Sequence, residues 1–258
     1  MAKKGLFTSI VLACALLLAP EVLAAKGVVK NAGGGGLTGS IVVISGTTAS
    51  NTTQAGDTII FREITSPDIK EGSLVTFDIV PDALSPTGEM AAFLAFLGSG
   101  AVITTNQDKN IDVCTNQALI IKGGIKVECN IDLVGGTLYV YGNPSINGNI
   151  KGKNGSSIIL DTGTLLEGNI KNGDEVPSPL LKIDRSTIVQ GNIKTMSCSN
   201  VRITGNTING NVHLERDTNV TITGNSIDGN LKVEGVTGTC SVPGNTVTGK
   251  TLLDARCQ

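Results

Sequence analysis

An asparagine followed by an aliphatic residue recurs through the second half of the chain: Asn110-Ile111, Asn130-Ile131, Asn149-Ile150, Asn169-Ile170, Asn192-Ile193, Asn211-Val212 and Asn230-Leu231, with a degenerate copy at Lys250-Thr251. The steps run from 19 to 23 residues. A period of this length means stacked units, each able to bury its apolar face only against its neighbours. The two most alike read Ile203-Thr-Gly-Asn-Thr-Ile-Asn-Gly-Asn-Val212 and Ile222-Thr-Gly-Asn-Ser-Ile-Asp-Gly-Asn-Leu231. Apolar and polar residues alternate inside them, which is the period of a strand, and Gly-Asn marks the corners. A helical pair needs more residues per unit and tolerates less Gly and Asn, and the Leu-x-x-Leu-x-Leu frame of a leucine-rich repeat is missing.

One coil of a parallel β-helix fits a unit of this kind: several short strands joined by tight turns. About eight coils over residues 99–258 predict a rod on the order of 38 Å long at ~4.8 Å per coil. The recurring asparagines then line one corner, each amide within reach of the next coil. The pattern resembles the asparagine ladders of right-handed parallel β-helix proteins, and we read the ladder as structural, without chemistry.

Residues 26–98 follow another grammar. Alternating runs at Ile41–Ile44, Thr58–Ile60 and Leu74–Ile79 predict short strands divided by Gly, Ser and Pro turns. The series Lys26-Gly-Val-Val-Lys30, Asp57-Thr-Ile-Ile-Phe-Arg-Glu-Ile64 and Ile69-Lys-Glu-Gly-Ser-Leu-Val-Thr-Phe-Asp78, closed by Pro86-Thr-Gly-Glu-Met-Ala-Ala92, resembles a cold-shock domain. That resemblance implies a small five-stranded OB-like barrel and single-strand binding through aromatics on two adjacent strands. Here the first aromatic run reads Gly33-Gly-Gly-Gly-Leu37-Thr-Gly-Ser-Ile41, and Ile59 and Phe61 stand in the aromatic and His places of the second. A stacked base is worth ~1–3 kcal/mol, so losing the platform argues against a nucleic-acid partner. The expected fold is all-β: a five-stranded OB-like barrel, then a short parallel β-helix. Met90–Leu97, the most apolar stretch after the leader, is expected to cap the rod or form its seam with the barrel.

Residues 1–25 read as a secretory signal: Lys3 and Lys4, an uncharged apolar run from Leu6 to Leu18, and small residues at Ala24-Ala25. Glu21 ends the run before it could span a membrane, and no other span is expected. Cys14, the one residue suggesting a lipoprotein, sits inside the apolar run. The expected location is secreted, periplasmic or cell-surface. Cys114, Cys129, Cys198, Cys240 and Cys257 have irregular spacings that leave their pairing open, and no Cys-x-x-Cys pair points to zinc.

A single His and 3% aromatic residues leave little for imidazole catalysis, metal binding or sugar stacking. Gly244-Asn-Thr-Val-Thr-Gly-Lys-Thr251 matches a phosphate-binding loop letter for letter, but it is a β repeat with no room for the helix that this chemistry requires. Asp161, Asp184, Arg185, Arg202, Arg216 and Asp217, with Tyr139 and Tyr141, offer no carboxylate pair repeated on neighbouring coils, so no catalytic residue and no cofactor is expected. One pattern exceeds what architecture needs. The position two after each ladder Asn holds Asp112, Asp132, Lys151, Lys171, Lys194, His213 and Lys232. It is read either as edge-protective charge on a β rod or as a stripe (Lys151, Lys171, Lys194, His213 and Lys232) that contacts a polysaccharide or another polyanion. The expectation is a non-catalytic exported structural or binding protein. The alternatives are a nucleic-acid binder acting through the barrel and a polysaccharide-active enzyme, with oligomeric state open. N-terminal sequencing of exported protein should begin at Ala25 or Lys26, and an intact Met1 on such protein would contradict the signal.

Overall fold

The structure, a computed structural model, describes residues 25–32, 38–46, 52–62 and 69–258. The expected leader up to residue 24 and the glycine run at 33–37 lie outside the described residues. Strands β1 (Ala25–Ala32), β2 (Thr38–Ser45), β3 (Thr58–Arg62), β4 (Leu74–Pro81) and β5 (Glu89–Gly98) form a closed barrel in the order β1-β2-β3-β5-β4, with β4 returning to β1. The β3–β5 pair is parallel and the others are antiparallel. Strand alternation explains the core: Ile59 and Phe61 point inward with Val29, Ile41, Val43, Val75 and Phe77. The two positions aligned with a base-stacking platform are therefore interior. The Met90–Leu97 stretch lies within β5 as a barrel strand, and its Leu97 reaches the seam with the rod.

Beyond the barrel the chain winds into a parallel β-solenoid of about eight coils with three sheets. The first runs from Ile111–Cys114 to Thr251–Leu252, the second from Gly100–Ile103 to Cys240–Ser241, and the third from Lys126–Val127 to Thr246–Val247. Equivalent residues stack directly, Ile131 on Ile111 and Ile150 on Ile131, so the inward aliphatics form one continuous lumen core. The loop-like stretch at Gly244 supplies two short strands, Thr246–Val247 and Thr251–Leu252, with no helix between them. The far end is closed by a 3-10 turn, Ala255–Cys257, held by the Cys240–Cys257 disulfide. Among the described residues no helix is long and apolar enough to cross a membrane.

Two asparagine ladders brace the coils. In the first, the backbone N–H and side-chain amide of Asn211 both donate to Asn192 Oδ1 at 2.9 Å, and Asn149, Asn169, Asn192 and Asn230 repeat the pattern. Asn130 donates its N–H to Asn110 Oδ1. A glycine precedes most of these residues because a Cβ on Gly210 would lie 2.5 Å from the carbonyl oxygen of Gly191 below. Yet Asn169, Asn192, Asn211 and Asn230 are exposed. The second ladder, Asn206, Asn225 and Asn245, lies mostly inside. Asn225 donates to Ile203 O at 2.8 Å and to Asn245 Oδ1 at 2.9 Å, and its own Oδ1 accepts from Asn206. Orphaned buried groups cost ~1–3 kcal/mol each, whereas water replaces a bond lost at the surface. Asn225→Leu should therefore lower the unfolding free energy well beyond Asn211→Leu in urea titrations. Equal losses would contradict this ranking.

Candidate functional site

The first sheet sets Asp112, Asp132, Lys151, Lys171, Lys194, His213 and Lys232 in one column, each in register with the next. Their chain neighbours, such as Val212 and Leu214, are buried in the lumen, so the column faces outward. Among the described residues Lys151, Lys171 and Lys194 make no ion pair. His213 and Lys232 differ: Glu234 Oε1 lies 2.7 Å from both His213 Nε2 and Lys232 Nζ. The Lys232 bond, then that of His213, holds the Glu234 carboxyl below the usual carboxylate range.

Glu234 belongs to a second outward column, which also holds Lys153, Met196 and Glu215. Sequence reasoning passed over it, although a residue two places along a strand faces the same side. That parity would have found Lys153 beside Lys151, and Glu215 and Glu234 beside His213 and Lys232. The free positive surface is consequently shorter than the five-residue stripe and centred lower on the rod. A groove of about 390 Å³ opens there, lined by Lys151, Lys153 and Lys171 together with Asp112, Asp132 and Asp174.

Most other candidate residues serve structure. The outward column of the second sheet reads Val102, Ile120, Tyr139, Ile159, Lys182, Arg202, Thr221 and Ser241. Its apolar part packs under Val28, Val42, Ile44, Ala55 and Leu74 of the barrel. Tyr139 and Tyr141 stack with ring centroids 5.0 Å apart beneath the Lys30 ammonium and belong to this seam. Lys182 donates to Gly56 O at 2.5 Å, and Arg202 Nη1 lies 3.0 Å from Asp57 Oδ1. Both cations also reach the buried Asp184 Oδ2 at 3.5 Å. Lys122 Nζ lies 2.7 Å from Glu71 Oε2, a second ionic tie. Arg216 pairs with Glu215 on the surface. Among the described residues Cys114, Cys129 and Cys198 are free thiols, and burial pushes Cys198 up to about 12, too high for a nucleophile near neutral pH. Comparison of the chain with family models, curated proteins and solved structures finds no match.

Asp217 lies inside the lumen, fully buried, accepting from the Thr195 hydroxyl and from the Cys198 N–H. Burial lifts its carboxyl from 3.8 to about 6 against the pull of those two donors. The native state therefore holds this proton more tightly than the unfolded chain does. The group lowers stability at neutral pH, and the penalty fades as pH falls through about 6 toward 4. Asp217→Asn, which keeps one acceptor, should be more stable than the wild type at pH 8 by up to about 3 kcal/mol, a gap that closes by pH 4. Denaturant titrations at three pH values check this, and a gap that widens in acid would refute it.

Proposed function

We propose that this protein is a non-catalytic, exported binding module whose solenoid contacts a linear polyanion, such as an acidic extracellular or envelope polysaccharide, through Lys151, Lys171 and Lys194. The observation that carries the reading is the in-register column of three lysines without ion-pair partners among the described residues, bordered by Lys153 and the groove. Like charges stacked on neighbouring strands repel, so a ligand anion spanning them relieves a cost the fold otherwise bears. Each exposed contact is worth only ~0.2–1 kcal/mol, but contacts to one linear ligand add through effective concentration. The Cys240–Cys257 disulfide supports an oxidising compartment, in keeping with the secretory signal expected at residues 1–25.

The closed order β1-β2-β3-β5-β4 supports reading the barrel as OB-type. Its role in this proposal is structural. The outer residues of β1 and β2, Val28, Val42 and Ile44, are packed against the solenoid, and Ile59 and Phe61 are interior. These positions support the structural reading of the barrel over the nucleic-acid alternative.

The test is retention on heparin. Changing Lys151, Lys171 and Lys194 to Gln, singly and together, should lower the eluting salt concentration in proportion to the number removed. Lys232→Gln, whose ammonium is already tied to Glu234, should shift it least. Unchanged retention of the triple variant, with circular dichroism intact, would overturn the proposal and leave the lysines as edge protection.

A further inference from the structure

Near the upper end of the same sheet, His213 and Glu215 lie two residues apart on one strand, and Glu234 lies on the next coil in register with Glu215. All three side chains are half-buried, and their ligand atoms lie within 4.8 Å of one another. Two carboxylates stacked on adjacent coils repel unless a cation sits between them. The compensation in place is partial. Lys232 Nζ reaches Glu234 Oε1 at 2.7 Å, while Arg216 Nε approaches Glu215 Oε1 only at 3.4 Å. Lys232 is a flexible side chain 39% exposed, so its ammonium can leave for water without unsatisfying a buried group.

We infer that His213, Glu215 and Glu234 form a Zn²⁺ site on the outer face of the solenoid, with Lys232 occupying the cation seat when metal is absent. One imidazole nitrogen and two carboxylate oxygens are a donor set that zinc accepts, with water as fourth ligand. Calcium and magnesium favour oxygen-only shells, so the histidine selects against them. The single His and the lack of a Cys-x-x-Cys pair argued against metal, and no local motif carries these ligands. They come from two coils, and the solenoid register brings them together. Strand backbones hold the three Cβ positions, so binding needs side-chain rotation and release of Lys232, of the Arg216 contact and of the His213–Glu234 hydrogen bond. The groups facing His213 are Lys194 below, Lys232 above, Glu215 and Glu234 beside it, and Asp217 on the lumen side. The site shares no ligand with the free lysines, and its test is independent of the polyanion reading.

The experiment is titration calorimetry of the full chain with zinc chloride in a non-chelating buffer near pH 7.5, with calcium and magnesium chloride as comparisons. We expect saturable one-to-one zinc binding and no comparable response to the other two ions. Losing an outer-shell partner alone weakens zinc sites by about 10–100-fold, so His213→Gln and Glu234→Gln, each removing a direct ligand, should weaken binding at least about tenfold. Lys232→Gln should instead tighten binding, because it removes the competing cation, and a purely structural role for Lys232 would not produce that gain. All three positions are on the surface, and circular dichroism confirms that the variants fold. No saturable uptake at millimolar zinc would overturn the inference. So would binding indifferent to His213→Gln and Glu234→Gln, as a site at the exposed Cys114 thiol would be.

Discussion

Consecutive coils are joined by parallel backbone hydrogen bonds, such as Ile131 N to Asn149 O and Ile150 N to Asn169 O, both at 2.9 Å. This pairing lays each residue of one coil on its counterpart in the next, and the other features of the solenoid follow from it. Aliphatics stack into a lumen core, glycines stack where no Cβ fits, and corner asparagines meet head to tail. The same registration is indifferent to whether stacking helps. It sets Lys171 on Lys151 and Glu234 on Glu215, contacts that an isolated strand would avoid. A repeat fold that is strongly held elsewhere can carry such columns, and in this protein they are the surfaces with chemistry left to spend.

The barrel breaks the symmetry of the rod. It covers the second sheet over its first four coils, so Ala118–Ile121, Leu138–Val140 and Ser157–Leu160 are buried on both faces. At the barrel edge the same column turns to Lys182 and Arg202, whose long stems reach Gly56 and Asp57 while Asp184 neutralises them from beneath. Past the edge it becomes Thr221 and Ser241, as a solvated face should. The cluster is half-buried, with Lys182 and Asp184 inside and Arg202 and Asp57 partly exposed, and it ties the barrel edge to two neighbouring coils. The seam therefore sets the barrel at a fixed height along the rod.

On the opposite side of this asymmetry, the first sheet stays open and its charge changes along the rod. Asp112 and Asp132 begin the column, three lysines with no ion pair among the described residues follow, and the upper end is balanced by Glu215 and Glu234. Net charge conceals this, because the formal −2 of the whole chain averages over a surface sorted by register.

The sequence by itself determined the repeat, the outward lysine column and the corner asparagines, because a strand period of two and a constant coil length fix which residues share a face and which stack. It also carried a signal for the seam that went unread. The uninterrupted apolar runs at Ala118-Leu-Ile-Ile121 and Ser157-Ile-Ile-Leu160 differ from the alternating Val220-Thr-Ile-Thr223, as strands buried on two faces differ from strands buried on one. Tertiary structure alone decided which polar groups lie inside. Asn211 and Asn225 occur in near-identical local strings, yet one faces water and the other is 2% exposed, because the turn of the chain at each corner sets the direction of the side chain. It also decided which lysines are free. The partner that neutralises Lys232 is two residues away, the carboxylate that His213 hydrogen-bonds lies a full coil away, and the Lys182 ammonium finds its acceptor 126 residues back at Gly56. Pairing depends on distance in space, and only the folded chain sets that distance.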